Sequence, residues 1–173
     1  MLKTLTGLAA VAAILVVPAS AVAGTKDQRG VQTAECINSI TGQHEGVFQY
    51  DGVTVAWPPN HKSRTAAISL TDDDAEPATD QASITITASH DQLLADGTEM
   101  LGSGNTSPDW MVPDTQTGTP TATANVSFLG ERSGQDQTGR TYTFTANGTT
   151  DNGTSTCNPV DFTAFVPHDQ GQR

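Results

Sequence analysis

The sequence predicts an all-β fold, an antiparallel β-sandwich of about seven strands behind a cleaved signal peptide. Three observations carry it. Apolar residues recur at every second position in one segment after another, no segment past the leader shows apolar residues at helical spacing, and Gly, Pro, Asn and Asp punctuate the gaps between segments.

The elements follow in chain order. Lys3 precedes an apolar run from Leu8 to Val17, and Pro18 with Ala21-Val22-Ala23 supplies a small-residue cleavage site, so residues 1–23 read as a signal peptide and Gly24 as the mature start. A run of roughly 10 apolar residues falls short of the ~20 that span a bilayer. With no Cys directly after the cleavage site to accept lipid and no hydrophobic C-terminal tail, the expectation is a secreted, extracellular protein without membrane insertion.

Residues 24–50 read as an N-terminal extension ending in a short strand at Val47–Tyr50, which turns at Asp51-Gly52 into a domain spanning 51–171. Within that domain Val53, Val55 and Trp57 alternate with polar or small residues. So do Ala66, Ile68 and Leu70, then Ile84, Ile86 and Ala88, then Ala122, Ala124, Val126 and Phe128, then Tyr142, Phe144 and Ala146, and finally Phe162, Ala164 and Val166. Each set marks the buried face of a half-wet strand. Short antiparallel strands in this number, separated by turns, favour an immunoglobulin-like arrangement. Tyr142, two positions before Phe144, stands where such sandwiches place a tyrosine whose hydroxyl returns to the preceding corner.

Charge narrows the partners. The chain carries a formal charge of −11, and loss of Lys3 with the leader makes it more acidic still, which disfavours nucleic acid and anionic lipid. Partners are therefore expected among extracellular proteins or glycans. The only two cysteines, Cys36 and Cys157, follow an export signal. In an oxidising compartment they are expected to form one bridge, worth at most ~5 kcal/mol for so long a loop in the chain-entropy model.

Four strings stand out. W-P-P-N-H-K runs from Trp57 to Lys62, E-R-S-G from Glu131 to Gly134, G-R-T-Y-T-F-T from Gly139 to Thr145, and V-P-H-D-Q-G from Val166 to Gly171. Together they resemble an immunoglobulin-like module common in secreted bacterial proteins, over most of the mature chain from Val53 to Gly171. That module also has a G-D-G-D-T-x-P-D loop, represented here by Gly102 to Asp109, with Ser103 and Asn105 in place of two of its carboxylates. The resemblance implies the sandwich fold and no catalytic activity.

The candidate sites are three. Pro58 and Pro59 hold the chain extended after Trp57, so that Asn60 and His61 can form a hydrogen-bonded clasp with His168 and Asp169. As a metal site the same two histidines with Asp169 are one ligand short of a tetrahedral set. Asp72, Asp74, Glu76 and Asp80 crowd one inter-strand turn, a spacing suited to calcium, although Pro77 and Ser83 stand where an EF-hand needs Gly and Glu. From His90 to Pro120 the alternation stops, and Trp110 and Met111 are the apolar residues there that can anchor a partner or fold back over the core. No nucleophile elbow, zincin helix or phosphate loop is present. The reading is a non-catalytic structural or adhesive module that requires no cofactor, with a calcium-assisted carbohydrate or protein binder as the alternative and a small hydrolase behind both.

Overall fold

The computed structural model describes residues 26–73, 79–93, 109–132 and 138–168. Across them the chain is almost wholly β, ten strands joined into one curled mixed sheet, with a single 3-10 turn at Asp151–Gly153 and no α-helix among the described residues. The strands are β1 (Gln28–Ile37), β2 (His44–Val55), β3 (Ser63–Asp72), β4 (Ala82–His90), β5 (Trp110–Met111), β6 (Gln116–Gly118), β7 (Thr121–Leu129), β8 (Arg140–Thr150), β9 (Ser155–Thr156) and β10 (Val160–Val166). Their order is β5-β7-β3-β2-β10-β8-β4-β6, with β1 on β2 and β9 on β8. All pairings are antiparallel except the single parallel step of β10 against β2, where Phe165 meets Val55.

The alternation places its residues as a period of two requires. Ala66, Ile68 and Leu70 of β3, Ile84 and Ile86 of β4, and Ala122, Ala124, Val126 and Phe128 of β7 are buried. So are Tyr142, Phe144 and Ala146 of β8 and Phe162, Ala164 and Val166 of β10. Curling brings these faces together. Tyr50 of β2 packs on Phe144 and Phe162, with ring centroids 6.3 and 6.0 Å apart, and Phe128 of β7 packs on Tyr142 and Phe144 at 5.0 and 5.9 Å. At Gly148 the approach is close: a Cβ there would lie 2.4 Å from Leu70 Cδ2 and 3.0 Å from Phe48 Cζ.

The structure departs from the sequence reading in the first third of the chain. Asp51-Gly52 is not a turn, because β2 runs unbroken from His44 to Val55 and pairs with β1 along its whole length. Gly52 answers a different need: a Cβ there would sit 2.2 Å from that of Ala66, so its absence lets β2 lie against β3. The predicted alternation at Val53, Val55 and Trp57 is also interrupted. The β1–β2 register shifts between Gln28 and Arg29, and beyond that irregularity Ala56 rather than Trp57 is fully buried.

The hairpin of β1 and β2 closes the outer edge of β10. Asn158 N–H donates to Ile37 O and Ala56 N–H to Phe165 O, both at 2.8 Å. Between these two points Gln32 does the work of a strand: its carboxamide donates to Thr163 O (2.9 Å) and accepts from Thr163 N–H (3.3 Å). The Cys36–Cys157 disulfide ties the far end of β1 to the segment after β9, with Cα atoms 5.0 Å apart and both cysteines buried.

Candidate functional site

At one end of the curled sheet lies a buried polar cluster centred on Arg140, the first residue of β8. It stands in phase with Tyr142, Phe144 and Ala146 and therefore points inward. Its guanidinium donates from Nε to Gln92 Oε1 (2.9 Å) and from Nη1 to Asp109 Oδ2 (3.0 Å), with Glu131 Oε1 at 3.4 Å and the Tyr142 hydroxyl at 3.3 Å. Its central carbon also lies 5.8 Å from the centre of the Tyr142 ring. The side chains of Arg140 and Asp109 are 1 % exposed and that of Glu131 is 2 % exposed. Charges so deep are tolerated only when paired and hydrogen-bonded, and the planar fork of arginine reaches several acceptors at once, as a lysine cannot.

Further bonds orient these groups. Gln92 N–H donates to His90 Nδ1 (3.2 Å), which places the His90 proton on Nε2, donated to Asp109 Oδ2 (3.0 Å). The His90 ring packs edge-on against Trp110 and Tyr142, at 5.5 and 5.6 Å. Gln92 Nε2 donates to Gly139 O (3.1 Å), where Gly139 takes a φ of 87° that suits a residue without a side chain. Burial pushes the Tyr142 phenol well above its ordinary range, and the Arg140 hydrogen bond only partly offsets this.

His61 joins the cluster from the surface. Its Nδ1–H donates to Glu131 Oε2 at 2.6 Å while half of its own side chain remains exposed. The surrounding W-P-P-N-H-K segment wraps around the buried Arg64, whose guanidinium donates to Lys62 O (2.8 Å) and Pro58 O (3.2 Å) and lies within 3.4 Å of Asn60 Oδ1. Asp27 completes that wrap, with Oδ2 2.7 Å from Arg64 Nε and Oδ1 accepting from Trp57 N–H at 2.8 Å.

Asn60 and His61 thus bond Arg64 and Glu131. His168 lies half-buried just past Val166, which pairs with Arg140, and Asp169 lies outside the described residues. In the acidic turn, Asp72 Oδ2 accepts from Asp151 N–H (3.0 Å) and Asp80 Oδ1 from Asn152 Nδ2 (2.8 Å), so both carboxylates hold the 3-10 turn. Asp74 and Glu76 lie outside the described residues, and among those that are described no three His, Cys, Asp or Glu side chains converge as metal ligands do. Trp110 is half-buried on His90 and β7, whereas Met111 beside it is 68 % exposed.

Arg140, Asp109, Glu131, His90, Gln92 and Arg64 escaped the sequence reading as site residues. One signal for three of them was there: Arg64, His90 and Arg140 each occupy the inward phase of a strand whose other inward positions are apolar. His61, Asp109, Glu131 and Arg140 come from four separate strings of the sequence and meet in one cluster. Searches of the chain against family models, curated proteins and solved structures returned no match.

Proposed function

We propose that this chain is a secreted, non-catalytic immunoglobulin-like sandwich module with a structural or adhesive role, acting on an extracellular protein or glycan. The observation that carries it is the convergence of the four strings: their chemically capable side chains are spent on one another, with Arg140, Asp109 and Glu131 withdrawn from solvent. Groups held this way join loops to each other and leave little to offer a substrate. The aromatic contacts across the curl and the close fit of Gly148 against Phe48 and Leu70 support a two-layer reading of the sheet. The disulfide and the acidic surface suit an oxidising, extracellular setting.

The test has two arms. Purified protein incubated with ester, peptide and glycoside substrates is expected to show no turnover above a His61→Ala control. Screened against arrays of glycans and matrix proteins, it is expected to bind a partner more weakly after Met111→Asp, a change at an exposed position that leaves the fold intact. Turnover that vanishes with His61→Ala in a folded variant would overturn the non-catalytic reading.

A further inference from the structure

We propose that the seam between β1 and β10 docks an extended, basic segment of a partner polypeptide, which adds to the edge of β10 through main-chain hydrogen bonds. The inference rests on the non-catalytic, adhesive reading and narrows its partner to a protein. The seam is closed at both ends. At one, Asn38 bridges Cys157 and Asn158 N–H donates to Ile37 O, and at the other, Ala56 N–H donates to Phe165 O. Between them no strand pairing joins β1 to β10 among the described residues, and the Gln32 side chain spans the space.

The chemistry of the occupant is set by what Gln32 does there. Thr163 N–H donates to the Gln32 carboxamide at 3.3 Å and Thr163 O accepts from it at 2.9 Å. A carboxamide carries the same N–H and C=O as a peptide group, so Gln32 substitutes for one residue of a neighbouring strand. Alternate residues of a strand turn their main-chain groups to the same side, so Asp161 presents its N–H and C=O to the seam as Thr163 does. Open edges of this kind take extended peptides, with main-chain bonds for affinity and alternate side chains for selectivity. The two banks define that selectivity. Ala34 of β1 and Val160 of β10 are half-buried against the core, while Glu35 and Asp161 beside them are exposed carboxylates. The cation of β1, Arg29, lies toward its other end against Asp51. A strand with small apolar residues facing in and Lys or Arg facing out complements both banks, in a chain whose formal charge is −11.

The probe is the fluorescein-labelled peptide Lys-Val-Thr-Val-Lys-Val-Thr-Val, titrated into the full folded chain and followed by anisotropy and amide NMR. Binding is expected to shift the Thr163 and Asp161 amide signals first, and to weaken as sodium chloride is added or as Glu replaces Lys in the peptide. Gln32→Ala removes the internal competitor and should bind the probe about tenfold more tightly, since the peptide no longer displaces two hydrogen bonds. Thr163→Pro removes an N–H that faces away from β8, a change sheet edges tolerate, and should abolish binding. Absence of binding to Gln32→Ala would overturn the proposal, as would equal affinity of Gln32→Ala and the unaltered protein, or undiminished binding by folded Thr163→Pro. Should Thr163→Pro fail to fold, the Gln32→Ala comparison and the amide shifts decide the matter. A protein or glycan that binds elsewhere, with no response to either substitution, would exclude the seam and leave the adhesive reading standing.

Discussion

Replacing Arg140 with Met removes one charge from the buried cluster and leaves its shape roughly intact. The perturbation takes the guanidinium away from Asp109 Oδ2, Glu131 Oε1 and Gln92 Oε1, each within 3.4 Å of it. Breaking a buried ion pair from one side costs about 3–5 kcal/mol, because the remaining charge stays buried without compensation. Set against a total stability of about 5–15 kcal/mol for a single domain, this is a loss of about a fifth or more. At about 2–4 °C per kcal/mol for a chain of this size, melting should fall by roughly 6–20 °C. Arg140→Lys should fall between the two, since an ammonium keeps the charge but cannot reach Gln92, Asp109 and Glu131 together. Urea unfolding monitored by tryptophan fluorescence measures all three proteins. A loss under about 1 kcal/mol in Arg140→Met, within the range of an exposed pair, would refute the view that this cluster holds the end of the sheet together.

Three further expectations follow from the packing. Burial raises the phenols of Tyr50 and Tyr142, the chain's only two tyrosines, well above their ordinary range. The folded state then keeps protons that the unfolded chain releases above about pH 10, so stability is whole below that pH and falls beyond it by about 1.4 kcal/mol per pH unit for each tyrosine. Both tyrosinates should appear together with loss of near-ultraviolet circular dichroism, and ionisation of either in the folded protein would contradict this. Gln32→Ala removes the two bonds to Thr163 and should cost about 1–2 kcal/mol in urea unfolding, whereas an unchanged midpoint would mean that water replaces the carboxamide without loss. Because Asp72 and Asp80 are occupied with the 151–152 turn, millimolar calcium should not raise melting beyond the effect of magnesium. A calcium-specific gain near 2.7 kcal/mol, as expected at a hundredfold excess over Kd, would restore the calcium-assisted binder.

Much of the fold was legible in the chain by itself. The period of two placed the inward residues of β3, β4, β7, β8 and β10 correctly, because successive side chains of a strand must point to opposite faces and only one face here is dry. The expectation of a bridge between the chain's only two cysteines was met. Local rules failed where local chemistry was ambiguous. Asp-Gly is a turn signal and also a way to thin a strand, and only the Ala66 side chain lying against Gly52 decides between the two. In β1, Gln28, Gly30 and Gln32 lack the apolar character that announces a strand, since their surroundings are a neighbouring hairpin arm and the edge of β10.

The polar cluster lay further from reach. His61, His90, Asp109, Glu131 and Arg140 are spread across about half of the sequence, and nothing in the spacing of residues so far apart says which of them will touch. What the sequence by itself determined was which positions face inward, including the three basic residues that share the apolar phase. Which partners would neutralise them was decided by tertiary structure alone. A buried charge is stable only beside particular donors and acceptors at hydrogen-bonding distance, and those distances exist only once the sheet has curled and brought its loops to one end.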